Sequence, residues 1–344
     1  MRTAHEYRIG IVGTKFTTLD LLADLEKSDH RVSHIITLPR SIATRNCVSG
    51  YVDLRGYAGE KSLQLHLART YALSDAEDQH AISQWKLDVL LVIGWERLIP
   101  ETILASLTSG AFGMHGSPWG LPRGRGRSPM NWALITGEKQ FRTHLFKLDA
   151  SVDGGQFVDC IEFEILPFDT IETLHFKNRV AMFRLLQRHM DSIMRGRLTL
   201  QEQSVTPTFF PKRAPDDGAV DWECSADEVY NLVRALTHPY PGAFTYLGPR
   251  RLNLWNAQPL GRLGDYRSAR PGEVVETGAS GPFAVRCGSG TLLVTRWEWA
   301  DRINSVPPQR GDSLRSVSAI ETLRAIVNRY PPGVEEHQKE IRLR

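Results

Sequence analysis

Cysteine is scarce in this chain of 344 residues: Cys47, Cys160, Cys224 and Cys287 are far apart and form no CxxC pair. That spacing argues against structural zinc and predicts free thiols in a reducing compartment. Long apolar runs are also lacking. The longest, LDVLLVIGW over residues 87–95, has the length of a strand and is too short for a membrane span. The opening stretch MRTAHEYRIGIVG has no apolar h-region followed by a cleavage site. No signal peptide is expected, and the expected location is cytoplasmic. HExxH is absent and the histidines have no metal-ligand spacing, so no metal site is expected. Gly10-Ile11-Val12-Gly13 falls short of GxGxxG, which rejects dinucleotide binding. No repeat or low-complexity tract occurs. A strong charge of one sign is missing as well: the net charge is +3, too little by itself for a nucleic-acid groove.

What is present is ordinary globular composition, 41% hydrophobic and 24% charged, in a chain long enough for two domains. Apolar runs at 8–13, 32–38 and 87–93 read as buried strands. Helical patterns at 19–25, 61–71 and 99–107 separate or follow them. This alternation predicts an α/β domain with a largely parallel, Rossmann-like sheet covered by helices on both faces. A short strand at 111–114 runs into His115. Ligands of open α/β sheets lie beyond the carboxyl ends of strands, so His115 is well placed for chemistry. A strand at 156–165 and a long helix at 170–195 follow.

From residue 205 the texture changes to short β-type runs (LNLWNAQ, PFAVRC, TLLVTRWEW) with one helical insert at 226–236. A smaller β-rich, OB-like domain is expected there. Trp297 and Trp299, alternating with Arg296 and Glu298, suit a half-buried strand better than a base-stacking platform. A last helix is expected at 313–329, followed by a charged, loosely ordered tail. The expected domains are 1–200 and 205–310, then a terminal helix and tail at 311–344, with the linker at 199–207.

The stretch GAFGMHGSPWGLPRGRGRSPMNWALITGE (110–138) holds a histidine at a strand end, a Gly/Pro-rich loop and a helix start. Ser128 is expected to cap that helix and Pro129 to occupy its first turn. THLFKLDASVDGG (143–155) sets Asp153 in a Gly-Gly loop. A His and an Asp on neighbouring loops can pair, fixing the imidazole's orientation and protonation. The Arg123-Gly124-Arg125-Gly126-Arg127 tract reads equally well as a phosphate clamp or a solvated loop.

The whole pattern resembles the formyltransferases, in which a strand ending N-x-H precedes an S-L-L-P loop, a basic R-G-x-x-P loop and D-x-G. Corresponding residues here are Gly113, His115, Ser117, Leu121, Pro122, Arg125, Gly126, Pro129, Asp153 and Gly155. The RGRSPMNWALITGE segment is most similar to sugar N-formyltransferases, including those acting on UDP-4-amino-4-deoxy-arabinose. Residues 209–248 resemble the start of the C-terminal domain shared with methionyl-tRNA formyltransferases.

The resemblance implies an enzyme that moves a formyl group from 10-formyltetrahydrofolate to an amine, with His115 and Asp153 catalytic and no metal. It implies folate contacts at Gly94, Trp95, Arg97, Leu98, Ile99, Ser117, Leu121, Pro122 and Asp149. It implies substrate contacts at Arg125, Gly126 and Arg127. The acceptor it favours is a nucleotide-linked amino sugar, ahead of methionyl-tRNA, hydroxyornithine or a non-catalytic binding role. No membrane partner is expected, nucleic acid is disfavoured, and homodimerisation stays open. Two departures stand out. Gly113 replaces the family asparagine, which is thought to hold the formyl oxygen, and HGSPWGLP is two residues longer than HGSLLP. An ordered water beside Gly113, or less readily Asn131, is the expected substitute for the lost donor.

Overall fold

The structure is a computed structural model describing residues 7–261, 263, 266–303 and 306–329. The chain divides into two compact units. One takes residues up to Arg125, Arg142–Phe163 and His175–Pro207; the other takes Gly126–Phe141, Glu164–Leu174 and Thr208 onward.

The first unit is built on β1 (Ile9–Val12), β2 (His34–Thr37), β3 (Gln64–Leu67), β4 (Val89–Val92), β5 (Gly110–Ser117), β7 (Gln140–Lys147) and β8 (Phe157–Glu164). A two-residue strand, β6 (Arg125–Gly126), falls between β5 and β7 in the chain. The sheet order is β3-β2-β1-β4-β5-β7-β8. The β1–β2, β2–β3, β1–β4 and β4–β5 pairs are parallel, while β5–β7 is antiparallel. The largely parallel Rossmann-like sheet expected from the sequence is present. β1 and most of β4 are buried, since a strand covered on both faces must be apolar throughout.

Helices α1 (Phe16–Leu25), α2 (Arg40–Arg45), α3 (Arg55–Glu60), α4 (Ala76–Gln84) and α5 (Glu101–Ala105) follow successive strands or lie between them. Two apolar clusters form, one holding Ile9, Ile11 and Leu91, the other Val12, Leu90 and Ala111. Neighbouring residues of single strands thus belong to different clusters, as period-2 alternation requires.

The helix expected at 61–71 is instead the edge strand β3, and the helix nearby is α3. The cause is visible in Leu63, Leu65 and Leu67, whose spacing of two lets Leu65 pair with Ile35 of β2. An edge strand is half solvated, so its polar residues imitate an amphipathic helix. Helix α7 (Ile171–Met194) takes the place of the long helix expected at 170–195.

In the second unit, helix α6 (Pro129–Ile135) packs with α8 (Ala226–Leu236). Pro129 occupies the first turn of α6 as expected. Ser128 makes no capping bond, because its φ of 54° is left-handed, whereas a capping residue needs extended backbone. Helix α8 begins with a capping box between Ser225 and Glu228 and buries Ala226, Val229, Val233 and Leu236 along one face.

Its strands are β9 (Phe209–Phe210), β10 (Ala243–Leu247), β11 (Arg250–Pro259), β12 (Val274–Thr277), β13 (Phe283–Arg286) and β14 (Thr291–Trp299). The larger sheet runs β10-β11-β14-β13-β12, with every pair antiparallel. The segment 312–315 joins its two edges: Leu314 N–H donates to Gly272 O and Arg315 N–H to Tyr246 O, each over 2.8 Å. That bridging produces the barrel-like closure expected of this domain. Trp297 is half-buried and Trp299 buried, as the alternation in β14 implied.

The expected helix at 313–329 is therefore shorter. It is α9 (Ala319–Asn328), capped by Ser318, because residues 313–315 are spent on closing the sheet. The expected tail at 335–344 lies outside the described residues. No helix among the described residues is long and apolar enough to cross a membrane.

Candidate active site

β5 outruns its parallel neighbour, and this positions the histidine. The last β4–β5 pair is Val92 with Gly113, but β5 continues to Ser117 against β7 alone. His115 thus projects from a rigid strand just past the carboxyl end of β4, where open sheets bind ligands.

Its ring is held at both nitrogens. Nε2 lies 2.9 Å from the carbonyl oxygen of Gly124, and Nδ1 lies 3.4 Å from Oδ2 of Asp153. A carbonyl only accepts, so Nε2 carries a hydrogen in this bond. The Asp153 carboxylate faces Nδ1 and, with the Gly124 carbonyl, fixes the orientation of the ring. The His115 side chain is 11% exposed and that of Asp153 21%, sheltered yet reachable.

Asp153 sits at the turn of its loop with φ 48°, a left-handed conformation that Asp tolerates. Gly155 follows because nothing larger fits: a Cβ there would lie 1.7 Å from the carbonyl oxygen of Lys147. A residue absent from the sequence reading secures the loop. The amide of Gln203 donates to Asp153 O over 2.8 Å and to Gly155 O over 2.7 Å, while its Oε1 accepts from Arg125.

Arg125 therefore belongs to the Asp153 loop. Burial lowers its guanidinium pKa, and the carboxylates of Asp153 and Asp149 act in the opposite direction. Gly126 and Arg127 belong to the second unit, where Arg127 N–H donates to Phe210 O over 3.1 Å. Asp149 accepts from the backbone and hydroxyl of Ser151, which shapes the approach to Asp153.

Of the residues expected at the folate, Gly94 turns the chain after β4 with φ 71°. Trp95 is buried edge-on against Tyr71, and its Nε1 has no partner among the described residues. Arg97 lies over the Tyr71 ring at 4.5 Å, Leu98 is exposed, and Ile99 is a core residue. Ser117 is fully buried and its Oγ accepts from Trp119 N–H; Leu121 and Pro122 are buried beside it.

A Cβ on Gly113 would meet Leu148 Cδ1 at 2.8 Å and Phe146 Cζ at 3.6 Å, so the nearest side-chain atoms there are carbon. Asn131 is buried and donates to Ala235 O over 2.7 Å within the second unit, which commits its amide to packing α6 on α8.

Residues 11–187 match the formyl transferase family, and residues 212–305 match the formyl transferase C-terminal domain. The chain belongs to the formyl transferase family. Members of this family take the group they transfer from 10-formyltetrahydrofolate. Among solved structures, HypX from Aquifex aeolicus in complex with tetrahydrofolic acid matches with a TM-score of 0.61 and 18% identity, over 85% of this chain and 44% of that one. The chain thus spans about half the length of the HypX structures it matches. The N-formyltransferase from Helicobacter canadensis, in complex with folinic acid and dTDP-3-aminofucose, matches with a TM-score of 0.61 and 14% identity, over 85% and 99% of the two chains. Methionyl-tRNA formyltransferase from Clostridium thermocellum matches with a TM-score of 0.51 and 18% identity, over 73% and 93%. At these identities the likeness is one of fold.

Proposed function

We propose that the protein is a 10-formyltetrahydrofolate-dependent N-formyltransferase whose acceptor is the amino group of a nucleotide-linked amino sugar. The observation that carries this reading is His115, fixed between the Gly124 carbonyl and the Asp153 carboxylate on the motif that the family match covers. The buried Nε1 of Trp95, without a partner among the described residues and in the segment expected at the pterin, fits a folate donor. The folate supplies a formyl group activated by its bond to a nitrogen that can leave. Transfer is assigned to residues 1–200 and acceptor recognition to the β-rich part, in a reducing, cytoplasmic setting that suits the free cysteines.

The neutral acceptor amine attacks the formyl carbon; a C–N bond forms and the carbonyl π pair moves to oxygen. The Nε2–H of His115 exchanges the Gly124 carbonyl for that oxyanion and stabilises it. The Asp153 carboxylate, through His115 or directly, accepts the proton that the new ammonium sheds. As the oxyanion collapses, the bond to the folate nitrogen breaks and that nitrogen takes the proton. Charge is conserved, and no metal is required.

The sugar acceptor is supported by the likeness of residues 125–138 to sugar N-formyltransferases and by a fold shared with an enzyme crystallised with a dTDP-amino sugar. The test is transfer from 10-formyltetrahydrofolate to a panel of dTDP- and UDP-amino sugars, initiator methionyl-tRNA and hydroxyornithine. Turnover on an amino sugar at least tenfold above the other acceptors is expected. Transfer confined to tRNA or hydroxyornithine overturns the acceptor class, and no transfer to any amine leaves a binding role.

A further inference from the structure

A second histidine stands beside the first. His115 and His144 are direct partners in the antiparallel β5–β7 ladder, so their side chains leave the same face of the sheet. His144 is 6% exposed. Its ring lies against Phe157, with centroids 5.3 Å apart, and its Cε1 is 3.8 Å from where a Cβ on Gly120 would stand. The polar edge of the ring therefore faces the 117–122 loop, the segment expected to cover the folate. Nδ1 is buried and has no partner among the described residues. Such a nitrogen costs about 1–3 kcal/mol. A fold that keeps it beside the transfer histidine keeps it for a group that arrives with substrate.

We propose that His144 is a second oxyanion donor in formyl transfer, its imidazole N–H performing the task left open where glycine stands at position 113. The inference rests on the formyl-transfer reading and deepens it. Positions 113 and 115 share a face of β5, and His144 lies across from them on β7. The nearest side-chain atoms around Gly113 are carbons of Leu148 and Phe146, which offer no donor, and Asn131 is committed elsewhere. His144 is also in the right state. Burial pushes its pKa down to about 4, and the charges of His115 on β5 and Arg142 on β7 act in the same direction. Phe157 and Gly120, which pack on its other sides, carry no charge. A neutral imidazole keeps one N–H to donate and brings no added charge next to His115. In the reaction it donates a hydrogen bond and transfers no proton.

The experiment compares His144→Ala and His144→Gln with the parent in steady-state transfer on the acceptor that the parent prefers. It also records the 13C-edited infrared carbonyl band of bound 10-[13C]formyltetrahydrofolate with no acceptor present. His144→Ala should lower kcat by about 10²–10³-fold, with KM for the donor within a few-fold. His144→Gln, which restores an N–H, should recover at least tenfold, and the carbonyl band should move to higher frequency in the alanine variant only. Turnover of His144→Ala within threefold of the parent, or equal losses in both variants with an unmoved band, overturns the proposal and leaves His144 a packing residue. A parent that binds the folate without transferring its formyl group overturns the functional reading, and the infrared band still decides whether His144 touches the carbonyl. A parent that does not bind the folate overturns both.

Discussion

Leu148 fills the space that a side chain at position 113 would enter, with Cδ1 2.8 Å from the Cβ position of Gly113. Restoring the family asparagine is therefore a packing change as well as a chemical one. Gly113→Asn must swing Leu148 off the Val12–Ala111 cluster against which it packs. We expect a loss of about 1–3 kcal/mol in stability by thermal or urea unfolding, with turnover unchanged or lower. The double variant Gly113→Asn/Leu148→Ala should seat the amide with less overpacking. A tenfold rise in turnover in the single variant would mean that the site is a weakened form of the family's.

His115→Ala and Asp153→Ala should each lower kcat by about 10²–10⁴-fold while far-UV circular dichroism stays unchanged. The His115 ring bonds to a carbonyl and faces a carboxylate, while the strand pairing runs through the backbone, so removing the ring leaves that pairing intact. Activity within a few-fold of the parent in either variant would remove that residue from the chemistry.

Gln203→Ala should lower kcat about tenfold with little change in melting temperature. Its amide ties Asp153 O and Gly155 O together, and losing both bonds lets the carboxylate drift from His115. Gln203→Glu should be no better, because its carboxylate would face two carbonyl oxygens. Unchanged kinetics in both variants would show that Gly155 and its close approach to Lys147 hold the loop alone.

Gln203 also marks a limit of what sequence reveals. His115, Asp153 and Gly155 could be found because motif and strand-end position coincide. Gln203 lies in a stretch that reads as linker, and its partners are backbone atoms some fifty residues away. His144 was hidden differently. Its place opposite His115 depends on the β5–β7 register, which no local periodicity specifies. The parallel strands were legible because burial on both faces makes them apolar throughout. β3 was not, because a half-solvated edge carries a mixed pattern. The Arg123–Arg127 tract reads equally as a phosphate clamp or a solvated loop because charge is visible in a sequence, while the Asp153 loop that engages Arg125 is not.

Two histidines, His144 buried and His175 half-buried, should make stability depend on pH in a defined window. Burial, helped by His115 and Arg142, depresses the His144 pKa from 6.5 to about 4. Burial, helped by Lys15, does the same for His175. In the unfolded chain both titrate near the ordinary value, so between pH 6.5 and 4 the unfolded state binds more protons than the native one. Stability must then rise with pH across that window. The stabilising effect of keeping both rings neutral is complete above pH 6.5 and is lost as pH falls toward 4, at up to about 3 kcal/mol per ring. Carboxylates held low, such as Asp53 at about 2, act at lower pH and do not produce this slope. Urea unfolding from pH 4 to 7 should therefore show a steep parent curve, flattened in His144→Gln/His175→Gln. A residual slope should remain from His34, which burial also lowers. A double variant as steep as the parent would mean that these rings titrate alike in the native and unfolded states, so that burial does not hold them neutral.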